Sequence, residues 1–539
     1  MPSDPLPAAP LDCDACVIGA GIGGLYATYR LREAGFAVLT CEKGSEVGGV
    51  WYRNRYPGAR FDSESHTYGY SFSRELLEEW NWRERFAAQP EILDYARYVA
   101  ERFGLRRHIE FGTRIVAARF DESARAWHLE TERGRTIRSR FLVSAAGTLS
   151  VPQLPDIEGI EGFAGDIAHT ANWPREGVPL AGRRVGIIGT ASTGVQVIQT
   201  IAPEVAQLTV FQRTPNWCMP QRNAPLTDDE RREIQRRSAD ILERCRNTYS
   251  GFLHDFEARA GANLSAEERE TTFERLYRQP GFAFWLGNFS DLMSDPAVNA
   301  HACEFLARKI RARVRDPEIA RRLIPDHPFG LKRIPLEKGY FETYNRSNVR
   351  LVDLRETPIE HITATGVTTA AARFKLDVLI CATGFDAVIG ALDRIDFRGE
   401  NGASLRQLWR AGTRTYLGLQ VAGLPNFFLV TGPYGASTLC NSVRCLEQSI
   451  DWIAECLGWM RERGYRRIAP TPEAQERWVR QVLDTAGTAF LDTLADMWFY
   501  DPDRPGGTRP IAIYPGGIAA YRERCRQIAR EGYPGFAFA

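Results

Sequence analysis

The stretch that decides the fold is ACVIGAGIGG, residues 15–24. Its apolar start predicts a buried strand, and LYATYRLREAG, residues 25–35, has the apolar spacing of a helix that ends at Gly35. The turn between them is made by Gly19, Gly21 and Gly24. Such glycines let a pyrophosphate approach the backbone N–H groups at the positive end of the helix. The segment therefore predicts a strand–turn–helix unit that binds a dinucleotide.

An acidic residue supports this interpretation, because a glycine-rich turn alone is weak evidence. The next predicted strand, FAVLTCEKG at residues 36–44, ends in Glu42, 18 residues after Gly24. An acid at this place accepts hydrogen bonds from a ribose. The turn and the acid together indicate a nucleotide site.

A second copy of the pattern begins at Arg183, with RRVGIIG as the strand and VQVIQTIAP as a helix ended by Pro203. Its middle glycine is replaced by Ala191, and its next strand, LTVFQR, ends in Arg213 where the first copy has Glu42. A carboxylate would repel a 2′-phosphate, whereas a guanidinium binds it bidentately. The first site therefore suits FAD, and the second suits NADPH. The second-site residues expected to contact this cofactor are Gly189, Thr190, Ser192, Thr193, Gly194 and Thr214.

The length and two further strands predict the domain organisation. A chain of 539 residues is too long for one core, since single cores stop growing at about 250 to 300 residues. FLVSAAG and DVLICATGFD are apolar strands that end in small residues, as expected at crossings between two interleaved domains. We expect an α/β fold with two Rossmann-like dinucleotide-binding domains and a helical insertion in the second. The expected boundaries are 1–147 and 386–539 for the FAD-binding domain, 148–216 and 332–385 for the NADP-binding domain, and 217–331 for the insertion.

The insertion is expected to be helical because two capping boxes open charged stretches within it. These boxes are Thr227-x-x-Glu230 and Ser265-x-x-Glu268. Covering the site and shaping its entrance is the expected role of this segment.

The charge balance excludes several classes of function. Lys+Arg 68 nearly cancels Asp+Glu 67, so no positive excess attracts nucleic acid or an anionic membrane. No apolar run of about 18 residues occurs, and the N-terminus lacks a positively charged segment followed by an apolar one. We expect a cytoplasmic protein, a monomer or small homo-oligomer, without a nucleic-acid or membrane partner.

The cysteine pattern argues against disulfides and metals. The eleven cysteines are scattered and odd in number, which indicates reduced thiols. Cys13 and Cys16 form a C-x-x-C, but they lie in a predicted strand, where neighbouring side chains alternate between faces. A redox motif is therefore not expected there. The cysteines and histidines show no metal-ligand spacing, so no metal is expected.

Between the two glycine turns stands FAGDIAHTANWP, residues 163–174. This segment resembles the fingerprint of type I Baeyer–Villiger monooxygenases, F-x-G-x-x-x-H-x-x-x-W-P, at every defined position. Flavin-containing amine and sulfide monooxygenases and N-hydroxylating monooxygenases typically lack the Trp. GGVWYRNRYPGARFDSES, LKR, ATGFD and MWFY also resemble family segments in family order, so the resemblance covers nearly the whole chain. The fingerprint residues are Phe163, Gly165, His169 and Trp173.

The resemblance implies the conversion of a ketone to an ester or lactone with O2 and NADPH through a C4a-peroxyflavin. The developing oxyanion needs fixed positive charge in a site closed to water. Arg333 matches the family's active-site arginine, which keeps its proton in a protein. Asp62 matches the acid that positions this arginine. The 271 residues between the two give no physical reason for the pairing, which rests on resemblance alone.

The resemblance also implies cofactor contacts. Lys332 matches the residue that joins Arg213 on the 2′-phosphate, and Trp51 and Trp498 match aromatic residues near the cofactors. For His169 we prefer a structural role in the linker between the domains to general base catalysis. Further residues expected to contact a cofactor are Gly49, Asp62 and Tyr68.

Two alternative functions stay open. A heteroatom oxygenase would use the same activated flavin on a sulfide or amine, and a non-oxygenating NADPH oxidase would only make H2O2. Disulfide reductases need a pair of redox cysteines shortly after the first acid, and GGVWYRNRYPG at residues 48–58 has none.

The C-terminal loop of the type I Baeyer–Villiger monooxygenases reads W-x-x-G-x-N-x-P-G-K. Residues 498–507 depart from this pattern, so the conformation of this loop stays open.

Overall fold

The computed structural model describes residues 11–436, 440–486 and 513–539. The chain divides into two units that exchange segments along the sequence. Unit 1 consists of Met1–Tyr52, Leu93–Ser150 and Ala387–Ala539, and unit 2 consists of Arg53–Ile92 and Val151–Asp386. Each unit is built on a largely parallel sheet with helices, so the predicted α/β class is confirmed.

The strands are short, and most of them carry buried apolar side chains. They are β1 (Cys13–Ile18), β2 (Val38–Glu42), β3 (Ile109–Phe111), β4 (Ile115–Asp121), β5 (Ala126–Thr131), β6 (Thr136–Ser144), β7 (Asp166–His169), β8 (Arg184–Ile188), β9 (Gln207–Gln212), β10 (Met219–Pro220), β11 (Leu336–Glu337), β12 (Val349–Asp353), β13 (Ile359–Thr363), β14 (Gly366–Thr369), β15 (Arg373–Lys375), β16 (Val378–Cys381), β17 (Asp396–Arg398), β18 (Phe427–Leu429), β19 (Ile468–Pro470) and β20 (Phe536–Phe538).

The helices range from single turns to long amphipathic segments. They are α1 (Ile22–Glu33), α2 (Val50–Arg53), α3 (Ser65–Tyr68), α4 (Arg74–Glu79), α5 (Gln89–Arg102), α6 (Ser192–Ile201), α7 (Asp228–Arg236), α8 (Ser238–Asn247), α9 (Ala266–Tyr277), α10 (Ala283–Leu286), α11 (Pro296–Arg313), α12 (Pro317–Leu323), α13 (Tyr340–Thr343), α14 (Leu405–Leu408), α15 (Ser442–Glu462), α16 (Pro472–Ala486) and α17 (Ile518–Arg530).

Unit 1 has a sheet in the order β17-β4-β5-β6-β1-β2-β3, and β18 also pairs with β6. β1 lies parallel to β2 and β6, while β4, β5 and β6 are linked by antiparallel pairing. The core beside the sheet includes the buried side chains of Trp127, Phe397 and Phe427. The first glycine turn joins β1 to α1, so it stands at the carboxyl end of a parallel strand, where nucleotides bind.

Unit 2 has a sheet in the order β12-β9-β8-β16-β7, and every neighbouring pair in it is parallel. β8 is the central strand, and its apolar run is buried because both faces of such a sheet are covered. The chain leaves β8 towards β9 on one side, and β16 and β7 lie on the other. The second glycine turn follows β8 and therefore lies where the strand order reverses, the usual ligand site of such sheets.

One segment lies in a different unit from the one expected. The chain changes units after Ser150 and after Asp386, close to the expected crossings, but residues 53–92 lie in unit 2 rather than with the first domain. The Tyr56 hydroxyl donates to Oε1 of Gln196 at 2.9 Å. A Cβ at Gly58 would lie 2.5 Å from the carbonyl oxygen of Gln196. The segment thus packs on α6, a contact across 140 residues that no local pattern signals.

The segment from residue 217 to 331 contains helices α7 to α12. The side chain of Thr227 accepts from the backbone N–H of Glu230, and Ser265 accepts in the same way from Glu268. Both glutamates return a hydrogen bond to the capping residue, so both predicted capping boxes are confirmed.

The cysteines correct one expectation. Cys13 and Cys16 are free and buried, as expected for strand residues, and burial raises the pKa of Cys13 to about 11. Cys440 and Cys445, however, are joined by a disulfide, so the expectation of reduced thiols throughout is wrong for this pair. One residue directly precedes the cap of α15 and the other lies in its first turn, which brings the two sulfurs together. Within the described residues, no helix is long and apolar enough to cross a membrane.

Candidate active site

The first glycine turn is dictated by backbone contacts. Gly19 has φ +101°, and a Cβ there would lie 2.6 Å from the carbonyl oxygen of Ala145. A Cβ at Gly24 would lie 1.8 Å from the carbonyl oxygen of Gly19. A side chain at either position would collide with backbone that belongs to the turn or to the neighbouring strand. These two glycines are therefore required by packing, before any ligand is considered.

The middle of this turn offers a cradle for a phosphate. A Cβ at Gly49, where φ is +57°, would lie 2.9 Å from the Cα of Gly21, so the two backbones approach closely without side chains. Gly21 caps α1 without a side-chain hydrogen bond, and the first turn of that helix carries no acidic residue. The positive end of the helix is thus not offset by a local carboxylate, which suits a pyrophosphate.

Glu42 connects the end of β2 to the glycine turn. Its Oε2 accepts from the backbone N–H of Ala20 at 2.7 Å, and its Oε1 accepts from Gly44 at 2.6 Å. Each carboxylate oxygen has two acceptor sites, so a ribose hydroxyl can still be bound. Trp51 lies in α2, and its backbone N–H donates to the carbonyl of Gly48 at 3.1 Å.

The second glycine turn has the same backbone constraints in unit 2. Gly189 has φ +106°, and a Cβ there would lie 2.5 Å from the carbonyl oxygen of Ala382. A Cβ at Gly194 would lie 2.2 Å from the carbonyl oxygen of Gly189. Ala191 caps α6 without a side-chain hydrogen bond, and Ser192 and Thr193 form the first turn of that helix.

A basic residue, Arg213, follows the strand that the second turn is tied to. The hydroxyl of Thr190 donates to the carbonyl of Thr214 at 3.0 Å and so ties the turn to the end of β9. Arg213 directly follows β9, is exposed, and forms no salt bridge with the residues that the structure describes. Its guanidinium is therefore available to an anionic ligand.

Lys332 affects the electrostatics of His327, which lies near the end of the segment that carries Arg213. Nε2 of His327 lies 3.4 Å from the carbonyl of Pro215, next to Thr214. Burial lowers the pKa of His327, and the positive charge of Lys332 lowers it further. The role of Lys332 beside Arg213 on a 2′-phosphate, which the resemblance implies, stays a prediction.

Arg333 and Asp62, 271 residues apart, form a bidentate ion pair in unit 2. Nε of Arg333 donates to Oδ2 of Asp62 at 2.5 Å, and Nη2 donates to Oδ1 at 2.9 Å. The two side chains are 19% and 29% exposed. Burial would lower the pKa of Arg333, but the charge and hydrogen bonds of Asp62 more than offset it and raise that pKa above its usual value. The arginine is therefore charged and held in one plane.

Two aromatic rings enclose the same guanidinium, and we call them the aromatic box. Cζ of Arg333 lies 5.8 Å from the ring centre of Phe252 and 5.5 Å from that of Phe282. The two rings meet edge to face with centres 5.1 Å apart. Cations over aromatic faces are stabilised by the ring quadrupole. Tyr68 is also close enough to contribute to the raised pKa of Arg333.

The fingerprint segment forms the edge strand β7 and the loop that follows it. Nδ1 of His169 accepts from the backbone N–H of Ala171 at 3.0 Å, so Nε2 carries the proton and donates to the carbonyl of Gln153 at 3.3 Å. The hydroxyl of Thr383 donates to the same carbonyl at 2.5 Å. Burial lowers the pKa of His169, which keeps the ring neutral. This histidine joins the two crossing segments of the chain.

The other fingerprint residues serve the packing of unit 2. Phe163 and Trp173 are buried. A Cβ at Gly165 would lie 2.4 Å from the carbonyl of Asp377 and 2.7 Å from the ring of Phe163. Trp498, predicted to lie near a cofactor, falls outside the described residues.

The predicted residues of the second nucleotide site lie in unit 2, as does the Arg333–Asp62 pair, and the residues of the first glycine turn lie in unit 1 with Glu42, Gly49 and Trp51. Phe252 and Phe282 were missed. Both lie in the segment between β10 and β11, where aromatic residues are frequent and no spacing singles these two out.

Comparison with known proteins gives three kinds of match. Residues 16–245 match the family model of the pyridine nucleotide-disulphide oxidoreductases, a stretch that includes both glycine turns. The 2-oxo-Delta(3)-4,5,5-trimethylcyclopentenylacetyl-CoA monooxygenase of Pseudomonas putida is 44% identical over 98% of this chain and 98% of its own. The Baeyer–Villiger monooxygenase of Pseudooceanicola batsensis is 39% identical over 97% of this chain and 95% of its own. The crystal structure of OTEMO in complex with FAD and NADP matches with a TM-score of 0.95 and 44% identity, covering 98% of this chain and 100% of that one.

A further relative differs in the atom that it oxygenates. The phenazine N-monooxygenase PhzNO1 of Lysobacter antibioticus is 39% identical over 97% of this chain and 96% of its own. Its identity to this chain equals that of the Pseudooceanicola batsensis enzyme.

Each of the two sheets has a parallel strand that leads into a glycine turn, followed by an acid in one unit and an arginine in the other. This arrangement defines the class of oxidoreductases with two dinucleotide sites. Within that class, the chain belongs to the Baeyer–Villiger monooxygenase family. This assignment confirms the resemblance drawn from the fingerprint, and with it the class of FAD- and NADPH-dependent monooxygenases.

Proposed function

We propose that this chain converts a ketone to an ester or lactone with O2 and NADPH. FAD binds at Gly19, Gly21, Gly24, Glu42 and Gly49 in unit 1. NADPH binds at the second glycine turn in unit 2, with Arg213 and Lys332 on its 2′-phosphate. The observation that carries the proposal is the bidentate Arg333–Asp62 pair inside the aromatic box.

When bound, FAD reduced by NADPH would activate O2, which is the source of the oxygen atom transferred to the ketone. Arg333 supplies a positive charge that no change of pH removes, because a guanidinium does not lose its proton in a protein. Asp62 fixes the plane of that guanidinium through two hydrogen bonds. When oxygen adds to the ketone carbonyl, negative charge develops on the carbonyl oxygen, and a preorganised donor stabilises it without reorganisation. His169 orders the chain crossings and takes no part in proton transfer.

Ketones are the proposed substrate class, and the oxygenation of a heteroatom is the second candidate. The match to a phenazine N-monooxygenase at 39% identity favours keeping it. A nitrogen or sulfur lone pair attacks the activated oxygen directly and forms no tetrahedral oxyanion. The two reactions therefore differ in their need for Arg333.

A substrate panel with purified enzyme tests the proposal. NADPH consumption is followed in parallel with product by mass spectrometry, for cyclic and linear ketones, one thioether and one aromatic N-heterocycle. We expect ester or lactone with at least one ketone, in step with NADPH loss. Oxygenation of the thioether or heterocycle alone would support the second candidate. Stoichiometric H2O2 with every compound would instead indicate an NADPH oxidase.

A cytoplasmic protein, monomeric or a small homo-oligomer, is part of the same proposal. The near-zero net charge supports the absence of nucleic-acid and membrane partners. Light scattering of the purified protein measures the oligomeric state, and fractionation of expressing cells tests the location.

A further inference from the structure

A buried carboxylate–imidazole contact lies in the same unit as the Arg333–Asp62 pair. Glu64, two residues after Asp62, has its Oε1 3.3 Å from Nε2 of His254. The carboxylate is 5% exposed and the imidazole 19%. Burying a carboxylate is costly unless it is paired and hydrogen-bonded, so Glu64 needs this contact with His254.

The pair leads to both rings of the aromatic box. His254 is two residues after Phe252 in the loop that follows α8. The hydroxyl of Thr248 donates to the carbonyl of Phe252 at 2.7 Å and closes that loop. The contact between Glu64 and His254 therefore holds the segment that carries the first ring.

The second ring is held through a glycine. Gly281, which directly precedes Phe282, has φ +65°, and a Cβ there would lie 2.9 Å from Oε1 of Glu64. The carboxylate thus lies against the backbone of the residue that places Phe282. One carboxylate contacts both segments whose rings enclose the guanidinium of Arg333.

The charges around Glu64 keep it ionised. Burial would raise the pKa of Glu64, but the hydrogen bond and charge of His254 outweigh it and lower that pKa, with a smaller contribution from His66. Burial also lowers the pKa of His66, and the charge of Arg85 contributes to that effect. Arg85 is itself paired with Glu230 at 2.9 Å, so its principal carboxylate partner is Glu230. His254 is therefore the principal side-chain hydrogen-bond partner of Glu64.

We infer that Glu64 and His254 are positioning residues for the oxygenation step, because they hold the two rings that fix the guanidinium of Arg333. This inference rests on the proposed role of Arg333. Asp62 determines the plane of the guanidinium from one side, and the aromatic box determines its place from the other. Neither Glu64 nor His254 is assigned contact with substrate or cofactor.

The expected consequence is a loss in the oxygenation step with little change in cofactor binding. A misplacement of about 1 Å at a reacting centre costs roughly a hundredfold in rate, so loosening the box is expected to cost about ten- to a hundredfold. Among the described residues, the partners of Glu64 include His254, Thr67 and the backbone of Gly281, all outside the second glycine turn, so the Kd for NADPH is expected to stay unchanged. Less ketone is oxygenated per NADPH, and more H2O2 is released.

The test uses the full-length holoenzyme with Glu64→Gln, His254→Gln and the double variant. Stopped-flow measurements separate flavin reduction from oxygenation, and product and H2O2 are counted per NADPH. If the two residues act as one unit, the double variant is no slower than the slower single variant. Glu64→Asp, which keeps the charge, is expected to recover part of the product formed per NADPH. A role that depends only on side-chain volume would give no such recovery.

Glu337→Gln is the matched control. Its carboxylate is 1% exposed, pairs with Arg313 in the same unit, and has no contact with the aromatic box among the described residues. We expect it to lower the midpoint of thermal unfolding without changing the fraction of NADPH used for product. If Glu64→Gln and His254→Gln only lower thermal stability, as this control does, the inference is overturned.

Arg333→Ala belongs to the same set, so that two kinds of failure are distinguished. If Arg333→Ala stops oxygenation while the Glu64 and His254 variants resemble the control, Arg333 keeps its role and the positioning role is refuted. If Arg333→Ala oxygenates ketone normally, the proposed function of Arg333 fails, and the positioning inference fails with it. Should Glu64→Gln not fold, His254→Gln and its comparison with the control decide alone.

Discussion

The glycine turn of unit 1 and that of unit 2 have nearly the same backbone constraints. Gly19 and Gly189 have φ of +101° and +106°, and a Cβ at these positions would lie 2.6 Å and 2.5 Å from a neighbouring carbonyl oxygen. A Cβ at Gly24 or Gly194 would collide with the first glycine of its own turn. The first and last glycines thus serve the strand–turn–helix packing, whatever the ligand.

The turns differ in the residue that ends the next strand and in the middle of the turn. Glu42 is buried and already accepts two backbone N–H groups, whereas Arg213 is exposed and forms no salt bridge with described residues. Gly21 faces the backbone of Gly49, and its counterpart Ala191 carries a Cβ. The comparison teaches that shared backbone geometry builds both turns, and we propose that one side chain outside each turn selects its cofactor.

The largest effect is expected from the matched variants Gly24→Ala and Gly194→Ala. The added Cβ would lie 1.8 Å and 2.2 Å from a carbonyl oxygen, so each variant disrupts one turn. Gly24→Ala should purify without flavin, and Gly194→Ala should keep flavin but lose reduction by NADPH. Flavin-to-protein absorbance and stopped-flow reduction measure the two, with circular dichroism to confirm folding. The reverse pattern would exchange the two sites.

Arg333→Ala tests whether unit 2 contributes more than a nucleotide site. Removing one preorganised donor costs about 2.7 to 4 kcal/mol, roughly a hundred- to a thousandfold in rate. Ester formation should fall by that amount, and Arg333→Lys should recover only part, because Lys lacks the planar fork. With the flavin reduced chemically, the Ala variant should still fail to oxygenate ketone. Normal oxygenation under those conditions would limit Arg333 to cofactor binding.

Arg213→Ala sharpens the comparison at the strand ends. A charge-assisted hydrogen bond contributes about 1.5 to 3 kcal/mol, so the affinity for NADPH should fall by roughly ten- to a hundredfold. The affinity for NADH should hardly change, because NADH lacks the 2′-phosphate. Titration of both nucleotides measures the preference, and Lys332→Ala is expected to act in the same direction. Equal use of both nucleotides by the unmodified enzyme would contradict the assignment.

The smallest effect is expected from exchanging the middle residues. Ala191→Gly should tighten NADPH binding slightly, by about 0.5 to 1 kcal/mol or roughly two- to fivefold, because removing the Cβ leaves more room for the pyrophosphate at the start of α6. Gly21→Ala should weaken FAD by a similar factor, since its Cβ would lie 3.4 Å from the Cα of Gly49. Isothermal titration with each cofactor measures both. A loss of flavin as complete as that of Gly24→Ala would show that the middle position is as restrictive as the last.

Local features of the fold could be predicted from the sequence, because they depend on residues within a few positions of one another. Strand β1, its turn and α1 follow from one apolar run and three glycines, and both capping boxes depend on residues three apart. Residues 53–92 could not be placed in this way. Their unit is decided by packing on α6, which lies far along the chain.

The candidate site divides in the same manner. The charges at Glu42 and Arg213 are visible at the ends of two strands, so the choice of cofactor at each turn could be predicted from the residues. The Arg333–Asp62 pair was predicted only through family resemblance, since no physical argument links residues 271 apart. The disulfide between Cys440 and Cys445 was not foreseen, because it depends on how α15 begins.

The sequence by itself therefore determined the α/β class, the two nucleotide turns, the cofactor suited to each, and through its fingerprint the family. Only the tertiary structure decided what surrounds Arg333. Phe252 and His254 share one loop, whereas Phe282 and Glu64 come from two other segments of unit 2. Their contacts exist because burying a guanidinium and a carboxylate requires partners wherever the fold supplies them, and the order of residues along the chain does not record that requirement.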